Sequence, residues 1–380
     1  MERREGEKYK SFLTRVLDAK KNKRITYDEM AELLVDDNRW TSENWRKGFY
    51  ILQEVVKKLD EDADITDSDV IIEIENAKQE IYKEKVKLRD QRREMNRLLM
   101  QEARFENLRE IMEERLEDIG TLPHLKVEPF ESENMGATLI ISDIHYGMMV
   151  DNQFNFYNCE IANERLDLLI SKTLEKCKLH NINKLNVEIL GDIVSGTIQT
   201  GCRVQQEEDI MTQIIDIAEK LSDCINTLAN SIPEVSVYTV FGNHGRAVAD
   251  KKQSINEENY ERLVYYYMKK RVKGVRFIDA MKADFIKYRD FGKTFVIAHG
   301  DKDKKDNAVS TYSKLLNDCI GEVHLGHWHS FMEDFDKCVV VNGSVIGSDE
   351  YAISIRKNSP PIQVLKIYGD DEITYKLRLN

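Results

Sequence analysis

The sequence predicts an α/β domain of layered β-sheets flanked by helices, preceded by an all-α N-terminal region. Two observations predict this division. From residue 137 onward, short apolar runs alternate with longer segments of helical periodicity, which is the pattern of an α/β fold. Before residue 120, apolar residues recur at the three- to four-residue spacing of amphipathic helices.

Residues 1–60 predict a small domain of short helices. Thr26–Glu29 has the pattern of a capping box at the start of one helix, and a longer helix begins at about residue 42. The break between them, at 36–38, makes the region similar to a helix-turn-helix, and the longer helix carries Arg46 and Lys47. DNA binding is one interpretation. A helical bundle used for protein contacts is the other.

Residues 70–119 predict one long helix, because neither proline nor glycine interrupts them. Apolar residues occupy most heptad positions from Ile74 to Phe105, which predicts a coiled coil that pairs with a second copy, most simply as a dimer, or folds back on the catalytic domain. Between Lys83 and Arg97 there are seven basic and three acidic residues, either a phosphate-binding stripe or a solvated face. A proline-containing linker is predicted at 120–136.

Residues 137–380 predict the catalytic domain. Seven apolar runs have the length of buried strands, and they lie at 137–142, 185–190, 235–241, 294–299, 322–326, 338–341 and 362–368. Three segments with helical spacing separate the earlier strands, at about 161–178, 205–230 and 256–271.

Polar clusters follow five of these strands, where open α/β sheets place their ligands. Side chains two residues apart in an extended chain point the same way, so both side chains of an Asp-x-His or His-x-His pair can bind one ion. The clusters are, in order, Asp143-Ile144-His145, Gly191-Asp192, Gly242-Asn243-His244, His299-Gly300 and Gly326-His327-Trp328-His329.

The side chains in these clusters indicate a metal centre. Carboxylate, imidazole and amide ligands without a thiolate suit Mn²⁺ best, with Fe or Zn²⁺ as alternatives. Two divalent ions held a few ångströms apart lower the pKa of a bound water and neutralise the charge of a phosphate. The expected cofactors are therefore two divalent metal ions.

The ordered series of motifs resembles that of the calcineurin-like metallophosphoesterases over residues 137–370. This resemblance implies the metallophosphoesterase fold and hydrolysis of phosphoesters. By the resemblance, the first ion is held by Asp143, His145, Asp192 and His329, and the second by Asp192, Asn243, His299 and His327. His244 matches the family's catalytic histidine.

The opening Asp-Ile-His-Tyr-Gly is similar to that of the DNA-repair-exonuclease branch, so a nuclease acting on DNA or another nucleic acid is expected. The alternative is a phosphatase or phosphodiesterase for a phosphoprotein or small nucleotide, with the N-terminal half used for assembly. Two departures from the family bear on this choice. Gly245 stands where many members have an acidic residue, and no acidic residue follows Asp192 closely.

Composition adds weaker constraints. The net charge of −12 means that nucleic acid would have to bind through local basic patches or metals. The six cysteines are scattered singly, and the N-terminus lacks the apolar stretch of a secretory signal. The apolar runs are too short to span a membrane. A cytoplasmic protein is the expectation.

Overall fold

The computed structural model describes residues 2–34, 42–61, 67–129, 136–198, 204–251, 253–280, 283–369 and 371–380. The chain divides into two compact units, Met1–Ala103 and Arg104–Asn380. Each unit has a hydrophobic core of its own.

The N-terminal unit is all-α. Its helices are α1 (Tyr9–Lys21), α2 (Tyr27–Leu33), α3 (Ser42–Glu61) and the first part of α4 (Asp67–Ile119). The expected capping box begins α2: the Thr26 hydroxyl accepts a hydrogen bond from the Glu29 amide, and the Glu29 carboxylate accepts one from the Thr26 amide at 2.7 Å. The predicted turn at 36–38 lies outside the described residues.

The core of this unit joins the first three helices. Its buried members recur at helical spacing and are Phe12, Leu13, Val16, Leu17, Met30, Trp45, Phe49, Leu52 and Val56. Because Trp45, Phe49, Leu52 and Val56 all face this core, the opposite face of α3 is presented to solvent.

Helix α4 is continuous over 53 residues. The division between the units falls inside it, after Ala103, whereas the sequence placed the boundary in the segment 120–136. The physical reason is that Leu108 and Met112 are fully buried in the core of the second unit, where Phe105 also stacks on Tyr260. The last turns of the helix are therefore part of the C-terminal unit.

The C-terminal unit is built on two main sheets. The larger sheet has the strand order β13-β12-β1-β4-β5-β6, with β1, β4, β5 and β6 parallel. Its strands are β1 (Gly136–Ile141), β4 (Lys184–Ile189), β5 (Glu234–Thr239), β6 (Arg276–Asp279), β12 (Ile362–Tyr368) and β13 (Ile373–Arg378).

The second sheet has five strands in the order β10-β11-β9-β8-β7, and β8, β9 and β11 are parallel. Its strands are β7 (Phe285–Asp290), β8 (Lys293–Ala298), β9 (Glu322–Leu325), β10 (Met332–Asp334) and β11 (Val339–Val341). A small hairpin is formed by β2 (Val150–Asn152) and β3 (Asn155–Tyr157).

The two sheets pack face to face, and helices cover their outer faces. Ile140, Val240 and Val364 from the larger sheet share one buried cluster with Ile297 and Val340 from the smaller one. The covering helices are α5 (Cys159–Leu179), α6 (Ile210–Ala229), α7 (Glu261–Arg271), α8 (Ala308–Leu316) and α9 (Glu350–Ser354), with a 3₁₀ turn at Lys305–Asn307. The predicted fold class, a layered β-sandwich flanked by helices with an all-α N-terminal region, is confirmed.

A chain of charged side chains is buried between the sheets. His324 donates one hydrogen bond to Glu188 at 2.6 Å and one to Glu322 at 3.2 Å. Lys366, itself 5% exposed, makes an ion pair with Glu322, and Lys293 approaches the same carboxylate at 3.3 Å. Acidic and basic groups alternate along this chain, so each buried charge has a partner of opposite sign.

Candidate metal centre

Five parallel strands bring the predicted site residues to one edge of the sandwich. In the larger sheet β1, β4 and β5 are adjacent, so the loops after them are neighbours. In the smaller sheet β8 and β9 are adjacent and parallel. All seven predicted ligand residues and His244 lie in these five loops, directly after the strand ends.

The first group of side chains contains Asp143, His145 and His329, whose candidate ligand atoms lie within 4.8 Å of one another. The Nε2 atoms of His145 and His329 are 3.1 Å apart, and His329 Nε2 is 3.4 Å from an Asp143 oxygen. Two imidazole nitrogens and a carboxylate thus point at one small volume. Asp143 is fully buried.

The second group contains Asp192, His299 and His327, again within 4.8 Å. His299 Nε2 lies 3.2 Å from Asp192 Oδ2 and 3.1 Å from Asn243 Oδ1. The Nδ1 of His299 lies 2.7 Å from the Leu190 carbonyl. If the ring proton is on Nδ1 and donates to that carbonyl, the Nε2 lone pair is free for a cation.

His244 lies between the two groups. Its Nδ1 is 3.0 Å from the Ser195 carbonyl, and its backbone amide donates to Asp192 at 2.8 Å. Its ring meets that of His145 edge-on, with centroids 4.5 Å apart. With His145 and Asp192 it forms a third candidate metal cluster, so position alone leaves it open as a ligand or a proton donor.

Ser195 was not predicted as a site residue. The sequence left open what orients His244, and in the structure a backbone carbonyl does so. A carbonyl can come from any residue type, and therefore no pattern of side chains in the sequence points to it.

The backbone of the site is strained. Five of the predicted ligands have positive φ in the left-handed region, which residues other than glycine rarely adopt: Asp143, His145, Asp192, His327 and His329. Such strain persists only where the surrounding structure enforces it, and it concentrates at functional sites.

Two glycines let the loops after β4 and β5 meet. A Cβ on Gly242 would overlap the backbone nitrogen and a carboxylate oxygen of Asp192, and a Cβ on Gly191 would overlap the backbone of Gly242. Only glycine at both positions allows the Asp192 and Asn243 loops to approach so closely.

The ionisable side chains of the site shift one another's pKa values. Burial would raise the pKa of Asp192, but His299 and His244 outweigh it and hold that pKa well below its usual value. Burial and the neighbouring His244 lower the pKa of His145. His299 behaves oppositely: burial lowers its pKa, but Asp192 raises it to about 10. Asp192 and His299 thus favour opposite charges when they face each other across 3.2 Å.

The residues present fit two divalent ions. Facing imidazole nitrogens, two buried carboxylates and the Asn243 amide are the mixed oxygen and nitrogen set expected for Mn²⁺, Fe or Zn²⁺. The buried Nδ1 of His145 has no hydrogen-bond partner among the described residues, an unsatisfied atom that would be costly in an ordinary core.

Comparisons with known proteins name one relative by sequence. The chain is 24% identical over 389 residues to the SPbeta prophage-derived uncharacterized protein YonJ of Bacillus subtilis (strain 168), covering 96% of this chain and 94% of that protein. No family model matches the chain.

Solved structures match about two thirds of this chain. They include Vps29 complexed with Zn²⁺ from Entamoeba histolytica, at 13% identity, TM-score 0.30 and coverage of 64% of this chain and 99% of that one. A protein from Streptococcus pneumoniae TIGR4 described as a predicted phosphoesterase has 10% identity, TM-score 0.30 and coverage of 65% and 92%. TM-scores this low do not establish a shared fold.

Among the described residues, no helix is long and apolar enough to cross a membrane.

Proposed function

We propose that this protein is a two-metal phosphoesterase of the calcineurin-like class, acting by preference on phosphodiester bonds of nucleic acid. The observation that carries the proposal is the convergence of seven candidate ligands, from five strand ends, on two adjacent clusters. Metal-binding side chains brought together from positions up to 186 residues apart (143 to 329) are hard to explain by packing alone.

Each ion would have its own ligands and share one carboxylate. Asp143, His145 and His329 would hold the first ion, and Asn243, His299 and His327 the second. Asp192 would bridge them, because it is near members of both groups, at 3.9 Å from His145 and 3.2 Å from His299. Two such ions supply charge neutralisation for the phosphate and lower the pKa of a water beside it.

His244 would act as the proton donor. Its Nδ1 is held by the Ser195 carbonyl, which leaves Nε2 as the atom that donates to a phosphoryl or leaving-group oxygen. The hydrogen bond from its backbone to Asp192 fixes its loop against the bridging ligand. His244 is therefore proposed as the catalytic acid.

The N-terminal unit supports the preference for nucleic acid. On the solvent face of α3, Arg46 and Lys47 are about half exposed, and both pair with Glu43, at 2.7 and 3.2 Å. Exposed pairs of this kind contribute little to stability, because solvent and salt screen them. A phosphate can therefore replace Glu43 at little cost. The basic stretch from Lys83 to Arg97 is solvent-exposed apart from Val86.

The same helix carries the proposed dimer contact. Leu88 and Met95 occupy heptad positions of the seam, and they are 62% and 58% exposed in the single chain. A second copy of α4 would bury them, as knobs-into-holes packing requires. We therefore propose self-association through α4, most simply as a dimer.

A pocket beside the second cluster favours the alternative of a phosphatase or phosphodiesterase for a small nucleotide or phosphoprotein. Its volume is about 210 Å³, and its lining includes Asn243 and His299 together with three cationic and three acidic side chains, Arg246, Lys251, Lys302, Asp284, Asp301 and Asp303. The size of the pocket suits a small substrate, while its charges of both signs do not by themselves select an anion.

Substrate assays distinguish the two functions. The full-length protein with Mn²⁺ is incubated with bis-p-nitrophenyl phosphate, p-nitrophenyl phosphate and labelled DNA. Cleavage of DNA and of the diester in excess of the monoester supports the nuclease. Preference for the monoester, with DNA intact, supports the phosphatase. Undiminished activity in excess chelator contradicts the metal centre itself.

A salt series tests the DNA contacts. In the double variant Arg46→Ala, Lys47→Ala the slope of log affinity against log salt should fall by up to about 2, since each phosphate contact contributes about one unit. The matched control is Arg109→Ala, which breaks another exposed ion pair, to Glu113 at 3.0 Å. An unchanged slope in the double variant would assign α3 to protein contacts instead.

A further inference from the structure

Glu261, the first residue of α7, contacts the two loops that carry the proposed ligands Asp192 and Asn243. The Glu261 side chain is fully buried. One of its carboxylate oxygens accepts a hydrogen bond from the Ile193 amide at 2.6 Å, and the other accepts one from the Gly242 amide at 2.7 Å. Ile193 directly follows Asp192, and Gly242 directly precedes Asn243.

Asn259 completes the contact from the same segment. Its side-chain amide donates to the Gly242 carbonyl at 2.9 Å, and its carbonyl oxygen accepts from the Glu261 amide at 2.9 Å. The Tyr260 amide donates to the Gly245 carbonyl at 2.7 Å. Residues 259–261 therefore hold the loop after β5 at both of its ends.

Gly245 shows how tightly this segment is fitted. A Cβ at this position would overlap the Asn259 side-chain oxygen and crowd the Glu261 Cγ. The acidic side chain that the sequence lacks after His244 has no room there, and the carboxylate near this loop comes from α7 instead.

We infer that Glu261 is a positioning residue of the metal centre, whose carboxylate fixes the spacing between the Asp192 loop and the Asn243 loop. This inference rests on the proposed function only in taking Asp192 and Asn243 as ligands. Glu261 touches neither candidate ion position through its carboxylate, since both of its oxygens are committed to backbone amides.

The chemistry favours a carboxyl group at this position. Two backbone N–H groups on separate loops need two acceptors on one rigid group, and both oxygens of Glu261 accept here. Burial and Asp192 raise the pKa of Glu261 to about 7, while the hydrogen bonds from the two amides favour its ionised form. A glutamine would present one oxygen and one NH₂, so that one loop amide would face another donor. No ion pair to Glu261 is found among the described residues, and a buried carboxylate without a cation is retained only at a cost in stability.

Metal affinity tests the inference. Chelator-stripped full-length protein is titrated with Mn²⁺ by calorimetry, comparing the wild type with Glu261→Gln. We expect the weaker of the two binding constants to fall by about 10- to 100-fold, the usual effect of residues that support metal ligands. The kcat/KM value should fall in parallel and recover in part with excess Mn²⁺, which a purely structural defect would not do.

Glu188→Gln is the matched control. Glu188 is also a fully buried glutamate, but its hydrogen bonds go to His324 and Tyr288 in the core between the sheets. We expect this variant to lower the melting temperature and leave Mn²⁺ affinity unchanged. Equal losses of affinity in the two variants would overturn the inference, because general destabilisation would then explain both.

The outcomes separate the inference from the proposed function. If the wild type binds no Mn²⁺, Zn²⁺ or Fe²⁺, the metal centre itself fails. If it binds two ions and Glu261→Gln binds them equally well, only the positioning role fails. Should Glu261→Gln not fold, Glu261→Asp keeps both carboxylate oxygens but shortens the side chain, so that they no longer reach the Ile193 and Gly242 amides together. Wild-type Mn²⁺ affinity in Glu261→Asp would then overturn the inference.

Discussion

Replacing Lys366 with methionine should destabilise the C-terminal unit strongly. In the sequence, Lys366 is distant from every candidate metal ligand. The Nζ of Lys366 makes an ion pair with Glu322, whose side chain is 3% exposed. Methionine has a similar length and no charge, so the change removes the cation with little effect on packing. Among the described residues, His324 and the partly exposed Lys293 then remain as partners of Glu322.

The size of the effect follows from the burial. Removing one partner of a buried ion pair costs about 3–5 kcal/mol, because the remaining charge stays in the interior. Since two partners of Glu322 remain, we expect about 3 kcal/mol. At about 2–4 °C per kcal/mol for a large domain, the melting temperature should fall by about 6–12 °C.

The same buried charged side chains should make the stability of the protein depend on pH in two separate ranges. Burial raises the pKa of Glu322, but His324 and Lys366 outweigh it and lower that pKa from 4.5 to about 2. Its contribution to stability is therefore present above about pH 4.5 and lost as the pH falls toward 2. Burial lowers the pKa of His324, but Glu188 and Glu322 raise it from 6.5 to about 9. That contribution is present below about pH 6.5 and lost as the pH rises through 9.

Urea denaturation between pH 3 and 10, followed by circular dichroism, measures both effects. The control is Lys287→Met, which breaks an exposed pair with Asp318 at 3.0 Å and should change the free energy of unfolding little. Equal midpoints for Lys366→Met and Lys287→Met would refute the reasoning. A wild-type midpoint that stays constant from pH 6.5 to 9 would refute the assignment of a charged His324.

Three further changes test the site and the assembly. Asp192→Asn should abolish turnover and reduce bound metal below two ions per chain, measured by elemental analysis, because it removes the proposed bridging carboxylate. His244→Ala should keep both ions and lower kcat by about 10²–10⁴, the range for a general acid. Leu88→Glu should shift light scattering from dimer to monomer, because it places a charge in the α4 seam.

Each of these has a control and an opposing result. Asp290→Asn changes a partly buried aspartate that pairs with Lys184, at 2.9 Å, and should leave the metal content intact. Loss of metal in His244→Ala would make that residue a ligand rather than an acid. The control for Leu88→Glu is Tyr82→Glu, which adds the same charge at a position of α4 outside the seam and should leave the dimer intact. A wild type that is monomeric at every concentration would contradict the dimer.

The strands that carry the site were predictable because each is an apolar run ending in a glycine or a ligand. The run Leu185–Leu190 became β4 (Lys184–Ile189), and the other runs shifted by similarly few residues. Six strands were not assigned from the sequence: β2, β3, β6, β7, β10 and β13. In β7 and β13 only part of the strand is buried, so polar residues such as Lys287 and Lys376 interrupt the apolar pattern.

The supporting residues of the site could not be read in the same way. Glu261 lies in the first turn of a helix, where an acidic residue is ordinarily explained by the helix dipole. Its contacts are to backbone amides 68 and 19 residues away. Because nearly every residue type carries a backbone amide, the sequence does not indicate these partners. Heptad spacing had the same limit: it does not distinguish a seam that binds another helix from one that packs on a domain, as Phe105 at the end of the predicted seam does.

The left-handed backbone at five candidate ligands has a consequence for how this chain changes by mutation. Each such position stores about 1–3 kcal/mol of strain, which glycine would relieve. Under selection for stability alone, substitutions such as Asp143→Gly or His329→Gly would accumulate and dismantle the centre. Laboratory evolution for thermostability without a turnover screen should lose these residues early, and their retention in a natural lineage would record continued selection for catalysis.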